Sequence, residues 1–212
     1  MFFEDPPGGP VAGSGLSGQL TNAWLPPGPA MLFCPADRPE RYQKALDRAD
    51  VVILDLEDGC RAENRAEARQ NVINADLDPE RTIVRINAVD SPDFAADIAA
   101  VVDSPLRTVM VPKVESAVSF TDAYSNRPAL PADFRAIALI ETPRGVVNLA
   151  EIAADPQVVA LFWGAEDLTA AVGGTSSRYG ADEVPTPGGG PSGHPGGYRE
   201  VPRLTRAMVL MH

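Results

Sequence analysis

The sequence predicts an α/β chain of the TIM (β/α)8-barrel type, with about six βα units recognisable. Three observations predict it. Short, β-branched apolar runs alternate with amphipathic stretches of helical length, the pattern of parallel strands buried on both faces. Charged residues recur at the ends of those runs, at Asp55, Arg85, Lys113, Glu141 and Asp167, with spacings of 30, 28, 28 and 26 residues. Of the 39 Gly and Pro residues, 12 fall in residues 1–29 and 13 in 173–197, which leaves the stretch between them for the folded unit.

The elements follow in order. The first apolar run is Ala30–Cys34, then a helical pattern over Pro39–Arg48. The second is Val51–Asp55, followed by Asn64–Asn74; the third is Thr82–Ile86, followed by Asp93–Val102. Thr108–Val111 precedes a helical pattern at Ser116–Tyr124, Ala136–Ile140 precedes Val146–Ala154, and Val158–Trp163 is the sixth run. A spacing near 28 residues is one βα unit, and its regularity suits a barrel better than a doubly wound sheet. A complete barrel has eight units and typically ~250 residues. The expected organisation is a Gly/Pro-rich, disordered 1–29, a barrel domain 30–172, a Gly/Pro-rich loop 173–197 and a C-terminal helix within 198–212.

Charge and composition exclude several classes. The 18 Lys and Arg against 29 Asp and Glu give a net charge of −11, which disfavours a broad nucleic-acid surface. Only two histidines occur, His194 in the Gly/Pro stretch and His212 at the last position, so neither a Ser-His-Asp triad nor a histidine zinc site is expected. The two cysteines, Cys34 and Cys60, lack metal-ligand spacing. The first residues show neither a basic n-region nor an apolar h-region, and no apolar run approaches the ~18 residues of a spanning helix. A cytoplasmic protein with reduced thiols and no membrane segment is the expectation.

Chemistry is expected where parallel strands end, because side chains there leave the core and converge. Glu141 and Asp167, from neighbouring strands, can offer two carboxylate oxygens to a hard cation such as Mg²⁺, leaving positions for water and substrate oxygens; the alternative is that each caps its following helix. Arg85 stands inside an apolar strand and needs an anion, either a substrate carboxylate or Asp55 or Glu57 across the barrel mouth. Asp55 and Glu57 share a strand face. Glu57 and Asp58 are candidates for outer ligands through water, or for helix capping. Lys113 pairs with these acids or touches substrate.

In this order and at these spacings, LFCPADRPERYQKAL, VVILDLEDG, TIVRINA, VMVPKVES, ALIETPRG and LFWGAEDL resemble the citrate lyase β-subunit-like (CitE-like) proteins of the HpcH/HpaI aldolase superfamily. The likeness covers about residues 30–178 and 198–210. It implies a TIM barrel, usually a homo-oligomer (trimer or hexamer), that cleaves or forms C–C bonds in 3-hydroxyacyl-CoA thioesters such as citryl-, malyl-, citramalyl- or hydroxymethylglutaryl-CoA. By motif, Glu141 and Asp167 correspond to the Mg²⁺ ligands and Arg85 to the residue that grips the substrate carboxylate. Phe33 and Lys44 correspond to positions that contact substrate or CoA, although neighbouring basic positions are Pro39 and Glu40 here. The family continues into a seventh and an eighth strand, an IHPxQ-type motif and a C-terminal segment that lends an acid to a neighbouring subunit, none of which this sequence contains, so a barrel truncated at its C-terminus is expected. Residues 179–197 resemble an insertion. Two alternatives accompany the lyase reading: a pyruvate-enolate aldolase of the same superfamily, and a truncated, inactive ligand-binding remnant.

Overall fold

A computed structural model describes residues 24–117, 130–180, 183 and 196–212. Six strands alternate with helices: β1 Met31–Pro35, α1 Tyr42–Leu46, β2 Val51–Asp55, α2 Arg65–Ile73, β3 Thr82–Arg85, α3 Phe94–Asp103, β4 Thr108–Val111, β5 Arg135–Ile140, α4 Pro143–Val147, α5 Leu149–Ala153, β6 Val158–Trp163, α6 Ala165–Ala171 and α7 Glu200–Val209. All strand pairs are parallel, in the spatial order β1-β2-β3-β4-β5-β6. Each strand lies beside its predecessor with no reversal. That is the winding of a TIM barrel and not of a doubly wound sheet, in which the order reverses at a switch point.

The period of two sorts the apolar runs between two layers. Val52, Leu54, Val84, Val109, Val111, Ala136, Ala138 and Ile140 face the helices, where they pack with Ala68, Val72, Ile98 and Val101. Val51, Ile53, Ile83, Met110, Ile137 and Leu139 form the inner layer. Continuing that inward parity, Ile53 leads to Asp55, Ile83 to Arg85 and Leu139 to Glu141. The strands are apolar where they are enclosed and charged where they end.

Trp24 packs with the inner layer although it falls within the stretch 1–29 that composition marks as loop. It is 5% exposed, and its indole Nε1 donates to the Glu80 carbonyl at 3.3 Å, plugging the N-terminal end of the sheet. At the other end of the chain, the flanks of the Gly/Pro stretch 173–197 are joined by an antiparallel bridge between Arg178 and Tyr198, and Tyr198 lies edge-on to Trp163 with centroids 5.0 Å apart. Among the described residues the sheet's outer strands are β1 and β6. β6 is half-buried along its whole length, and Leu32 and Phe33 of β1 are 39% and 41% exposed.

The strand runs expected from the sequence coincide with the observed strands to within one residue at either end. The helix expected over Val146–Ala154 is instead two short helices that begin earlier, because Thr142 caps the first through its Oγ1, which accepts from the Gly145 N–H at 3.1 Å, and Asn148 ends it. Helix α6 follows β6 at once, so Asp167 stands inside its first turn and not at its N-cap. Of the expected helix Ser116–Tyr124, residues 118–124 lie outside the described residues.

Candidate active site

The C-terminal strand ends of β2, β3, β4 and β5 bring Asp55, Glu57, Arg85, Lys113 and Glu141 into one cluster. Asp55 and Arg85 are partners in register across β2 and β3. Arg85 Nε donates to Asp55 Oδ1 at 2.8 Å and Nη2 to Oδ2 at 2.5 Å. Asp55 also accepts the Glu57 N–H at 3.0 Å and the Gly59 N–H at 2.9 Å. Each of its oxygens thus takes two donors, which makes Asp55 a clamp for Arg85 and not a ligand for anything else. The turn requires Gly59, since a Cβ there would stand 2.4 Å from Asp55 Oδ2.

The second anion of Arg85 is Glu57, whose Oε2 stands 3.2 Å from Nη1. The contact is an ion pair without an aligned hydrogen bond, and Oε2 has no hydrogen-bond partner although it is buried. Burial pushes the Glu57 carboxyl above its usual range, against the pull of Lys113 and Arg85. The aromatic ring of Phe33 lies against the guanidinium, 4.8 Å from Cζ to the centroid. Phe33 therefore belongs to the cluster through Arg85.

Lys113 joins both halves of the site. Its Nζ donates to Glu57 Oε1 at 2.5 Å and its backbone N–H to Glu141 Oε1 at 3.1 Å. Its φ of 53° lies in the left-handed region, the one positive value among the described non-glycine residues. A lysine held there is strained by about 1–3 kcal/mol, and such strain concentrates at ligand sites. Lys113 also borders a hollow of about 390 Å³ lined by Val89, Asp90, Val114, Glu115 and Thr142.

Glu141 is 2% exposed. Helix capping does not explain it, because Thr142 caps the following helix. Burial, and then the Asp167 charge, push its carboxyl up to about 7. Gly164 admits it closely, since a Cβ there would stand 2.6 Å from Glu141 Oε2. Asp167 occupies the first turn of α6, exposed, with no capping hydrogen bond from the Gly164 N-cap. A buried Glu141 carboxylate repelled by a neighbouring acid is unfavourable unless a cation stands with the two. Among the described residues no three His, Cys, Asp or Glu side chains converge as an enclosing metal cage. Mg²⁺ suits this donor set, because it keeps several waters and is commonly held by one or two carboxylates.

Two expected residues lie apart. Asp58 is exposed on the turn after β2, where its charge reaches Glu57, Arg85 and Lys113. Lys44 is exposed on α1 and lines a separate hollow of about 350 Å³ with Arg41, Arg48, Leu32 and Phe33. Phe33 alone borders both that hollow and the cluster. Thr142 was missed as a cap, although Thr-Pro after a strand is a helix-start signal.

A family model described as HpcH/HpaI aldolase/citrate lyase matches residues 29–185. The chain belongs to this family. It is 47% identical over 184 residues, 87% of its length, to a citrate lyase subunit beta-like protein of Mycobacterium tuberculosis. It is 34% identical to an L-malyl-CoA/beta-methylmalyl-CoA lyase of Cereibacter sphaeroides, over 73% of this chain. The alignments span 59% and 57% of those relatives' lengths. The crystal structure of M. tuberculosis CitE in complex with magnesium, acetoacetate and coenzyme A superposes with a TM-score of 0.72 at 47% identity, covering 87% of this chain and 61% of that one. Among the described residues no helix is long and apolar enough to cross a membrane.

Proposed function

We propose that the chain carries the active site of a Mg²⁺-dependent carbon–carbon lyase that cleaves or forms a 3-hydroxyacyl-CoA thioester, giving an acyl-CoA and a keto acid. The observation that carries the reading is the buried Glu141 carboxyl, raised by burial and then by the charge of Asp167, in one strand-end cluster with a clamped arginine. The relatives support the substrate class: one is a malyl-CoA lyase, and CitE was crystallised with magnesium, acetoacetate and coenzyme A.

Glu141 and Asp167 would hold Mg²⁺, which when bound supplies positive charge to substrate oxygens and to the enolate that C–C cleavage leaves. Arg85 orients the substrate carboxylate. Asp55 occupies the Nε–Nη2 edge of its guanidinium, so the substrate takes the edge where Glu57 now approaches Nη1 without an aligned hydrogen bond. Phe33 sets its ring against the guanidinium, and Lys113 holds Glu57 and Glu141 in place through its ammonium and its backbone N–H. Asp58 adds outer negative charge, and Lys44, with Arg41 and Arg48, offers cations to the phosphates of a CoA ester across the neighbouring hollow. A homo-oligomer in the cytoplasm completes the proposal.

The test is product analysis with malyl-, citramalyl- and citryl-CoA in the presence of Mg²⁺. Matched release of a keto acid and an acyl-CoA, abolished by EDTA, is expected. Turnover confined to free hydroxy keto acids would replace this reading with that of a pyruvate-enolate aldolase. Mg²⁺-linked keto acid binding with no turnover of either kind would make the chain a ligand-binding remnant.

A further inference from the structure

A buried polar chain runs from the helix layer to the floor of the cluster. Asp97 of α3 is 0% exposed and Asn87, two residues beyond Arg85, is 3% exposed. Asp97 Oδ2 accepts both from the Asn87 backbone N–H at 2.8 Å and from Asn87 Nδ2 at 2.7 Å, while Arg69 Nε of α2 donates to Oδ1 at 2.7 Å. Arg69 is anchored a second time, by Asp93 Oδ1 at 2.5 Å. The amide of Asn87 also donates to the Leu56 carbonyl at 3.0 Å.

Leu56 is the residue between Asp55, which grips Arg85, and Glu57, which faces its other edge. Beyond the last paired residues of β2 and β3, two bonds still cross between the strands: the Leu56 N–H to the Arg85 carbonyl at 2.9 Å, and the Asn87 amide to the Leu56 carbonyl. Both peptide groups of Leu56 are therefore fixed by the chain segment that carries Arg85. Solvent cannot replace these bonds, since Leu56 is fully buried. A carboxylate with no exposure is costly unless it is paired, and Asp97 meets that condition through Arg69 and Asn87.

We infer that Asn87 and Asp97 are positioning residues: with Arg69 they lock the Asp55-Leu56-Glu57 strand end and thereby set the orientation in which Arg85 meets a substrate carboxylate. The inference deepens the lyase reading and rests on it for the identity of the ligand. The orientation of Arg85 itself is measurable without any ligand.

Asn87→Asp is nearly isosteric and replaces a donor with an acceptor that faces both Asp97 and the Leu56 carbonyl; Asn87→Ala removes the amide without adding charge. Ser104→Ala, at the C-terminal end of α3, removes two other buried hydrogen bonds, the hydroxyl donating to the Val101 carbonyl at 2.9 Å and accepting from the Leu106 N–H at 3.0 Å, and serves as the control for destabilisation alone. The readouts are the Arg85 Nε–H resonance, assigned by its loss in Arg85→Lys, and calorimetric affinities for oxaloacetate and for Mg²⁺. Wild type and Ser104→Ala should share one Arg85 signal. Either Asn87 variant that folds should shift or broaden it and weaken oxaloacetate about tenfold, with Mg²⁺ affinity within about twofold. An unmoved Arg85 resonance in a folded Asn87 variant would overturn the positioning role whatever the ligands do. If wild type binds no oxaloacetate, the lyase reading falls, and the resonance alone still decides the role of Asn87.

Discussion

Glu141→Gln separates the burden that the acid pair places on the fold from the use made of it. In the native protein the Glu141 carboxyl is raised from 4.5 to about 7, chiefly by burial and then by Asp167. That difference corresponds to about 3 kcal/mol at 25 °C. The sign follows from proton linkage: between pH 4.5 and about 7 the folded state holds a proton that the unfolded chain has lost, so the stability this group contributes is present below pH 4.5 and is lost as pH rises through 7. Glutamine stays neutral and still accepts the Lys113 N–H. In EDTA at pH 8 the variant should therefore be about 3 kcal/mol more stable than wild type, and near pH 4.5 the two should converge. Urea unfolding of both proteins at several pH values gives the difference directly, and taking the difference cancels the other titrating groups. Adding Mg²⁺ should stabilise wild type and leave Glu141→Gln unmoved. Equal stability at pH 8, or a less stable variant, would refute the claim that Glu141 is a buried charge awaiting a cation.

Three further outcomes are expected. Arg85→Lys keeps a positive charge against Asp55 but loses the planar fork, so oxaloacetate affinity should fall by about 2 kcal/mol in calorimetry while Mg²⁺ affinity holds; equal oxaloacetate affinity would remove Arg85 from the ligand site. Gly59→Ala drives a methyl group to within 2.4 Å of Asp55 Oδ2, and thermal unfolding should show a loss of about 1–3 kcal/mol together with weakened oxaloacetate binding, because the clamp must shift. Trp24→Ala empties the floor of the inner layer, for an expected loss of about 3–5 kcal/mol in denaturant unfolding; a loss below about 1 kcal/mol would show that Trp24 lies outside the cooperative unit.

The strands were legible because burial on both faces forces near-continuous apolar runs, and the charged residue closing each run marks the strand end. The same rule brings Asp55, Arg85 and Glu141 together, because the C-terminal ends of parallel strands converge. What escaped was set by tertiary geometry. Trp24 sits among Gly and Pro, so composition points to loop, yet one large apolar side chain suffices to fill the end of the inner layer. Asn87 and Asp97 read as ordinary strand-end and helix residues, because a hydrogen bond across ten positions leaves no periodic trace. The left-handed conformation of Lys113 has no signature in its residue type, since lysine gives no preference for it. For Arg85 the internal acids weighed from sequence take both edges of the guanidinium, Asp55 by paired hydrogen bonds and Glu57 by an unaligned ion pair, and the substrate carboxylate is proposed for the Glu57 edge.

Titration of oxaloacetate into the purified chain by calorimetry, with Mg²⁺ and with EDTA, for wild type, Glu141→Gln and Asp167→Asn, tests the central claim most directly. Wild type should bind oxaloacetate only with Mg²⁺, and both variants should lose that binding while retaining the fold by circular dichroism. Binding that persists in EDTA, or that survives in both variants with Mg²⁺ present, would contradict a metal site built on Glu141 and Asp167.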